Sequence, residues 1–450
     1  MPRILKWTLL LVLFAFTVSA QTAESAKKYQ LYWPQWRGPL ATGVAPHGTP
    51  PVTWSEDNNI RWKVEIPGKG HATPIIWEDQ VFLLTAVETD KAGDSKETAE
   101  AVNRMPDWMK KRSVHPTNIV EFTVIALDRK DGSVRWQKIA RAEHPHEGTH
   151  SDGTWASNSP VTDGEHLFAH FGSRGLYCYD MAGNLKWQTD LGNMITRNGF
   201  GEGSSPALHE DVLVVNWDHE GDSFIVALDK RTGEQLWKKD RDEVTSWSTP
   251  VIVEVNGRPQ VVINATGNTR GYDLKSGEVV WEIGGMTTNT IPSPVYEDGI
   301  LYVMSGFRGN LVQAIQLARA AGEIAGSDAL LWQYDRDTPY VPSPVLYDSY
   351  LYFLKKNSGI LSCFDARTGQ AHFGPERLAG VKNVYASPVG ANGRIYVTGR
   401  QGNTIVLKVG PKLEILASNS LDDSFDASPA IVGGELYLRG HRSLYCISEK

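Results

Sequence analysis

The 450-residue chain has only 3 cysteines, no two of them adjacent, so neither a disulfide framework nor a four-thiolate zinc site can be built from them. A basic surplus is also missing. Lys and Arg number 45 against 52 Asp and Glu, a formal charge of −7, which argues against holding a phosphate backbone and hence against nucleic-acid binding. Beyond residue 20 there is no apolar run long enough to span a bilayer. What remains is 41% hydrophobic and 22% charged, the composition of a folded globular chain.

Residues 1–20 hold Arg3 and Lys6, an apolar run from Trp7 to Val18, and the small pair Ser19-Ala20. A basic start, a short apolar core and small residues at a cut site predict a cleaved signal peptide. No Cys follows the run, so the acceptor for bacterial lipid attachment is absent. Cleavage would leave 43 basic against 52 acidic residues, about −9. The expectation is a soluble, monomeric protein, periplasmic or secreted, with no integral membrane span.

A Ser or Thr followed by Pro recurs eight times, at Thr73, Ser159, Ser205, Thr249, Ser293, Ser343, Ser387 and Ser428. The intervals are 86, 46, 44, 44, 50, 44 and 41 residues, and most fall in the range of propeller blades. Alternating runs follow, including His166–Ala169, Val212–Val215, Ile300–Val303, Tyr350–Phe353, Arg394–Val397 and Glu435–Leu438, as strands require. A third strand ends in Asp before a Gly turn, as in Val226–Asp229 before Thr232-Gly233, which reads as a hairpin. Four residues beyond that Gly stands an indole: Trp136, Trp187, Trp237 or Trp281, with Phe373 and Trp332 serving the irregular repeats.

Four strands in about 45 residues make one propeller blade. The eighth unit runs out after three strands, and Ile60–Ile66 can supply the fourth from the other end of the chain. The predicted fold is all-β: an eight-bladed β-propeller of four-stranded antiparallel blades, closed by an N-terminal strand completing the last blade. The propeller is expected over 60–450, an extended strap over 21–59, a charged insertion at 87–119 and a smaller one at 311–329. Cys178, Cys363 and Cys446 occupy one equivalent slot in three blades and are expected to be small buried packing residues, too far apart to bridge.

The repeat resembles the pyrroloquinoline-quinone (PQQ)-type propeller repeat, whose Ala-x-Asp-x-x-Thr-Gly-x-x-x-Trp core is best matched by Ala227 to Trp237. The resemblance covers roughly residues 54–448 and weakens in repeats five and seven. Trp33-Pro-Gln-Trp36-Arg-Gly-Pro39 is similar to the start of exported proteins of this repeat class and is read as the strap. The resemblance implies a binding scaffold like the propeller subunit of the outer-membrane β-barrel assembly machine, without that subunit's lipid-anchor Cys. It also implies an alternative, a PQQ- or metal-dependent oxidoreductase with its site at the funnel. Quinoprotein dehydrogenases usually carry an adjacent Cys pair beside the cofactor, and this chain has none. No cofactor is assigned: PQQ and Ca stay candidates without a supporting motif, and no catalytic residue is assigned.

Residues just before each Ser-Pro should line one mouth of the central channel. Read around the ring with the approach to blade 3, they are His71, Trp155, Asn158, Arg197, Glu202, Trp247, Asn289, Tyr340, Tyr385 and Asp426. Aromatics interleaved with acids and amides suit a flat ligand or a carbohydrate. The partner is expected to be a protein or small ligand at this loop face. His144, His146, His150 and Asp152, in a loop containing Pro and Gly, are a weaker candidate for a divalent metal.

Overall fold

A Pro in the first position of a strand lacks the ladder donor, which is tolerated where the strand is a sheet edge. Each Ser-Pro or Thr-Pro stands at such an edge in the computed structural model, which describes residues 27–93 and 96–449. The short strand just after it lines the central channel as the innermost of four. Eight such sheets follow one another. In blade 3, for example, Ala207–His209, Val212–Trp217, Phe224–Asp229 and Gln235–Asp240 form an antiparallel meander.

The eighth blade is completed from the other end of the chain. Ile60–Glu65 pairs antiparallel with Ser443–Ser448, Val64 opposite Leu444 and Trp62 opposite Cys446. This strand fills the position predicted for Ile60–Ile66, with Ile66 just outside it.

The repeated Gly and Trp serve one contact between neighbouring blades. Gly183, Gly233 and Gly277 have φ of +81°, +74° and +72°, and an added Cβ would lie 2.6–2.7 Å from Trp136, Trp187 and Trp237 of the preceding blade. Only glycine meets both demands. Each of these indoles also donates to a carbonyl of the next blade: Met181 at 3.1 Å, Lys230 at 2.9 Å and Leu274 at 2.9 Å. Trp62 on the closing strand repeats the pattern with the Arg129 carbonyl at 3.0 Å. Cys178, Cys363 and Cys446 are free and buried.

A ring of hydroxyls binds the inner strands together. The backbone N–H of Thr73 donates to Ser159 Oγ, Ser159 to Ser205, Ser205 to Thr249, and so on through Ser293, Ser343, Ser387 and Ser428, at 2.8–3.1 Å. Thr73 Oγ1 closes the circle by donating to the Ser428 carbonyl at 3.2 Å. Ser or Thr thus recurs beside Pro because its oxygen satisfies a buried donor of the neighbouring blade.

The segment from Trp33 onward runs across one end of the channel. Trp33 is fully buried and exchanges backbone hydrogen bonds with Ile76. Trp36 Nε1 donates to Ser293 Oγ in the hydroxyl ring at 3.1 Å. Arg37, 1% exposed, reaches the carbonyls of Pro388 at 2.7 Å and Pro344 at 2.6 Å. Gly43 makes room for it, since a Cβ there would meet the guanidinium at 2.1 Å. The signal peptide predicted over residues 1–20 lies outside the described residues. Among the described residues, no helix is long and apolar enough to cross a membrane.

The excursion between the middle strands of blade 1 prolongs both of them, Gln80–Ala92 and Asn118–Asp128, and carries helices Lys96–Arg104 and Asp107–Lys110. Met105 and Met109 anchor it inward while Trp108 is 56% exposed. The smaller insertion begins later than the predicted 311–329, because Leu311–Gln316 is the third strand of blade 5. Within the remainder, Gly322–Glu323 adds a parallel fifth strand to blade 4 beside Trp281 and Glu282.

Candidate functional site

The loops that enter the inner strands converge on the channel mouth opposite the strap. They enclose a cavity of about 270 Å³ lined by Trp36, Phe200, Trp247, Tyr340, Tyr385 and Ile291 among the large side chains. His71, His150, Asp152, Glu202 and Asp426 bring ionisable groups to the same wall, and the hydroxyl ring girdles its depth. Trp36 forms the floor, because the strap that carries it lies beyond the ring. The strap therefore makes the channel a blind funnel.

Six of the ten residues expected at the mouth line this cavity: His71, Glu202, Trp247, Tyr340, Tyr385 and Asp426. The other four do not. Trp155 turns away to donate its indole N–H to the Glu147 carbonyl at 3.0 Å. Asn158 is buried behind the wall against His170, 3.0 Å from its Nδ1. Arg197 lies in a short 3-10 turn and donates its backbone N–H to Thr245 Oγ1 at 2.9 Å. Asn289 is buried, 3% exposed and outside the lining, with φ of +58°. Nearness to Ser-Pro in sequence does not fix where a side chain points, because these loops bend differently.

The charged wall is organised around Arg400. Its guanidinium donates to both oxygens of Asp426, at 2.7 and 2.9 Å, and to Asp152 at 2.7 Å, and lies 3.8 Å from the Tyr385 ring centre. Burial alone would raise the Asp426 carboxyl, but hydrogen bonds from His441 and Arg400 and nearby positive charge outweigh it and hold it below the usual range. Burial pushes His71 down to about 4, so it is neutral at physiological pH. Glu202 accepts from Ser173 N at 2.7 Å and Ser173 Oγ at 2.5 Å.

The loop from His144 to Asp152 does not assemble as a metal site. His144 Nδ1 lies 3.2 Å from Thr98 Oγ1, and His146 is held between the Met194 carbonyl at 2.7 Å and Arg174 at 2.8 Å. His150 and Asp152 instead face the funnel. Pro145 and Gly148 break any regular spacing, so successive side chains leave in different directions. Glu147, in the same loop, is 6% exposed and accepts from Thr196 N at 3.0 Å and Thr196 Oγ1 at 2.8 Å. Its burial pushes the carboxyl up to about 7.

A family model described as outer membrane protein assembly factor BamB matches residues 120–373, more than half of the chain. The chain belongs to this PQQ-like propeller family. A protein of Francisella salina named outer membrane protein assembly factor BamB is 29% identical over 87 residues, 19% of this chain and 15% of that relative. The crystal structure of BamB from Moraxella catarrhalis superposes with a TM-score of 0.53 at 14% identity, covering 81% of this chain and 99% of that one. The computationally designed Ika8 protein gives 0.54 at 12% identity, covering 75% and 95%. These structural likenesses are of fold.

Membership in a PQQ-like family raises the question of quinone and calcium in the funnel. Calcium needs six to eight converging oxygens. Here the funnel carboxylates turn to separate partners, Glu202 to Ser173, Asp152 to Arg400 and Tyr385, and Asp426 to Arg400 and His441, so their oxygens do not converge on one point in that number. That donor set does not fit calcium.

Sequence reasoning missed Trp36 as the floor, Phe200, Arg400 and His441. Phe200 stands two residues before Glu202 and was within reach of the same rule. Arg400 and His441 come from hairpins between later strands, Arg394–Thr398 to Asn403–Lys408 and Glu435–Arg439 to Ser443–Ser448, which open on the same face.

Proposed function

We propose that this chain is an exported, non-catalytic binding scaffold, periplasmic or secreted, whose funnel receives one ring-sized polar group: a sugar residue, or a ring carried by a partner protein. The observation that carries this reading is the blind funnel. Five aromatic rings, Trp36, Phe200, Trp247, Tyr340 and Tyr385, share about 270 Å³ with Asp426 and Glu202, which suits a flat face bearing hydroxyls. Family membership supports a scaffold, and the name of the Francisella salina relative, an assembly factor of the outer membrane, supports the exported location. The rigid ring with loops clustered at one mouth supports docking.

The test compares the wild-type protein with Trp247→Ala against a panel of mono- and disaccharides and against the exported protein fraction of the source cell. The substitution removes a part-buried wall side chain whose indole N–H donates to the Gly201 carbonyl at 2.7 Å. Binding should weaken at least tenfold while the Tm stays close to wild type. Binding that survives Trp247→Ala unchanged overturns the funnel assignment. A saturable rise in Tm with PQQ and Ca²⁺ would favour the oxidoreductase reading instead.

A further inference from the structure

We propose that the wall of the funnel at the seam between blades 8 and 1 is a binding site for a borderline divalent cation of the Zn²⁺, Ni²⁺ or Co²⁺ type, held by His71, Asp426 and His441. The three side chains come from three separate segments. His71 lies two residues before Thr73 in the loop entering blade 1, and Asp426 two residues before Ser428 in the loop entering blade 8. His441 lies in the hairpin between Glu435–Arg439 and Ser443–Ser448. One donor atom from each lies within 4.8 Å of the other two, and among the described residues this is the one group of three or more His, Cys, Asp or Glu that gathers so closely.

The donors share a focus. His441 Nε2 is 2.9 Å and His71 Nε2 3.7 Å from the same oxygen, Asp426 Oδ2. The two imidazoles stack with planes 19° apart and centres 5.5 Å apart. Donors around a tetrahedral ion at about 2.0–2.1 Å stand roughly 3.3 Å from one another, a spacing that these three, already within 4.8 Å, reach by side-chain rotation of the two histidines.

The backbone holds the donors in place. His71 N–H donates to the Ala156 carbonyl, and His441 N–H to the Ser424 carbonyl at 2.9 Å. Arg400 donates to both Asp426 oxygens, Oδ2 included, and fixes the carboxylate plane, as outer partners of metal ligands do, while each oxygen keeps a second lone pair for an ion. The charge of Arg400 is balanced by Asp152, to which it also donates.

Two imidazoles and one carboxylate select zinc-like ions over calcium and magnesium, which prefer oxygen alone. Three protein donors leave a position open. Because His71 and Asp426 both line the funnel, that position faces the cavity, where a hydroxyl or carboxylate oxygen of a bound molecule can take it.

The full-length purified chain, stripped of metal and dialysed to equilibrium against Zn²⁺ or Ca²⁺, should retain one Zn²⁺ per chain by elemental analysis and no Ca²⁺. His441→Ala, at a side chain 46% exposed, should keep the Tm and weaken Zn²⁺ binding at least tenfold. His146→Ala should leave it unchanged. Co²⁺ loaded in place of zinc should show a visible ligand-field band that His441→Ala abolishes. No retained zinc, or zinc that His441→Ala leaves in place, overturns the site. Counting metal needs no funnel ligand, so this result stands apart from the Trp247→Ala comparison.

Discussion

Two arginines stand at opposite ends of the central channel. Arg37, in the strap, is 1% exposed and donates to carbonyls, those of Pro388, Pro344 and Thr42. Burial without a counter-ion pulls it down to about 9, still protonated at neutral pH. Arg400, at the mouth, meets two carboxylates; burial would lower it, but Asp426 and Asp152 raise it above its ordinary value. The first is a hydrogen-bond hub that ties a crossing segment to two blades. The second arranges funnel-facing acids in a wall that stays partly exposed. One end of the channel is built for closure and the other for contact.

The sharpest way to break this contrast is Arg37→Ala. It strips donors from three buried carbonyls and empties the space that Gly43 keeps open. The expected loss is about 3–5 kcal/mol, read as a fall in Tm or in the denaturant midpoint. A loss under about 1 kcal/mol would mean that the strap is an ornament on an already stable ring.

Glu147, at the funnel end, is a buried carboxylate that accepts from Thr196, and among the described residues it forms no ion pair with an arginine or lysine. Its charged neighbours are His146, which lowers it, and Glu202, which raises it together with burial. The folded state keeps its proton up to about 7, while the unfolded chain releases it near the ordinary glutamate value of 4.5. Stability therefore falls as pH rises between those values and levels off above the upper one. Glu147→Gln keeps an acceptor for Thr196 and removes the charge. It should stabilise the protein by roughly 2 kcal/mol at pH 8 and change little at pH 4, checked by Tm across that range. An unchanged profile would show that Glu147 does not carry this dependence.

The smallest effect belongs to the hydroxyl ring between the two ends. Ser343→Ala leaves the buried N–H of Ser293 without its acceptor, at a cost of about 1 kcal/mol in equilibrium unfolding. A larger loss would make the ring a cooperative unit, and none would assign closure to the strap and the blades alone.

The blades were legible because each residue type answers a local demand that repeats. Gly233 receives Trp187, and Ser205 receives the Ser159 N–H, at intervals that periodicity exposes. The strand from Ile60 was legible by elimination, since one blade was short of a strand. The funnel was legible in part. His71, Glu202, Trp247, Tyr340, Tyr385 and Asp426 sit where the loop rule puts them, whereas Trp155 and Asn158 turn to Glu147 and His170. Arg37 and Trp36 were readable as strap residues but not as hub and floor. Their partners, Pro388, Pro344 and Ser293, are hundreds of positions away, and no periodicity links them.

The pairing of Ile60–Glu65 with Ser443–Ser448 has a consequence for biosynthesis. A chain that emerges amino end first offers this strand long before its partner has been made, and Arg37 likewise waits for Pro344 and Pro388. In the interval the early strand is an unsatisfied edge open to wrong partners. Maturation must therefore finish where it began, after the last residues arrive, and assistance to the nascent amino-terminal region matters more here than for a protein assembled from neighbouring segments.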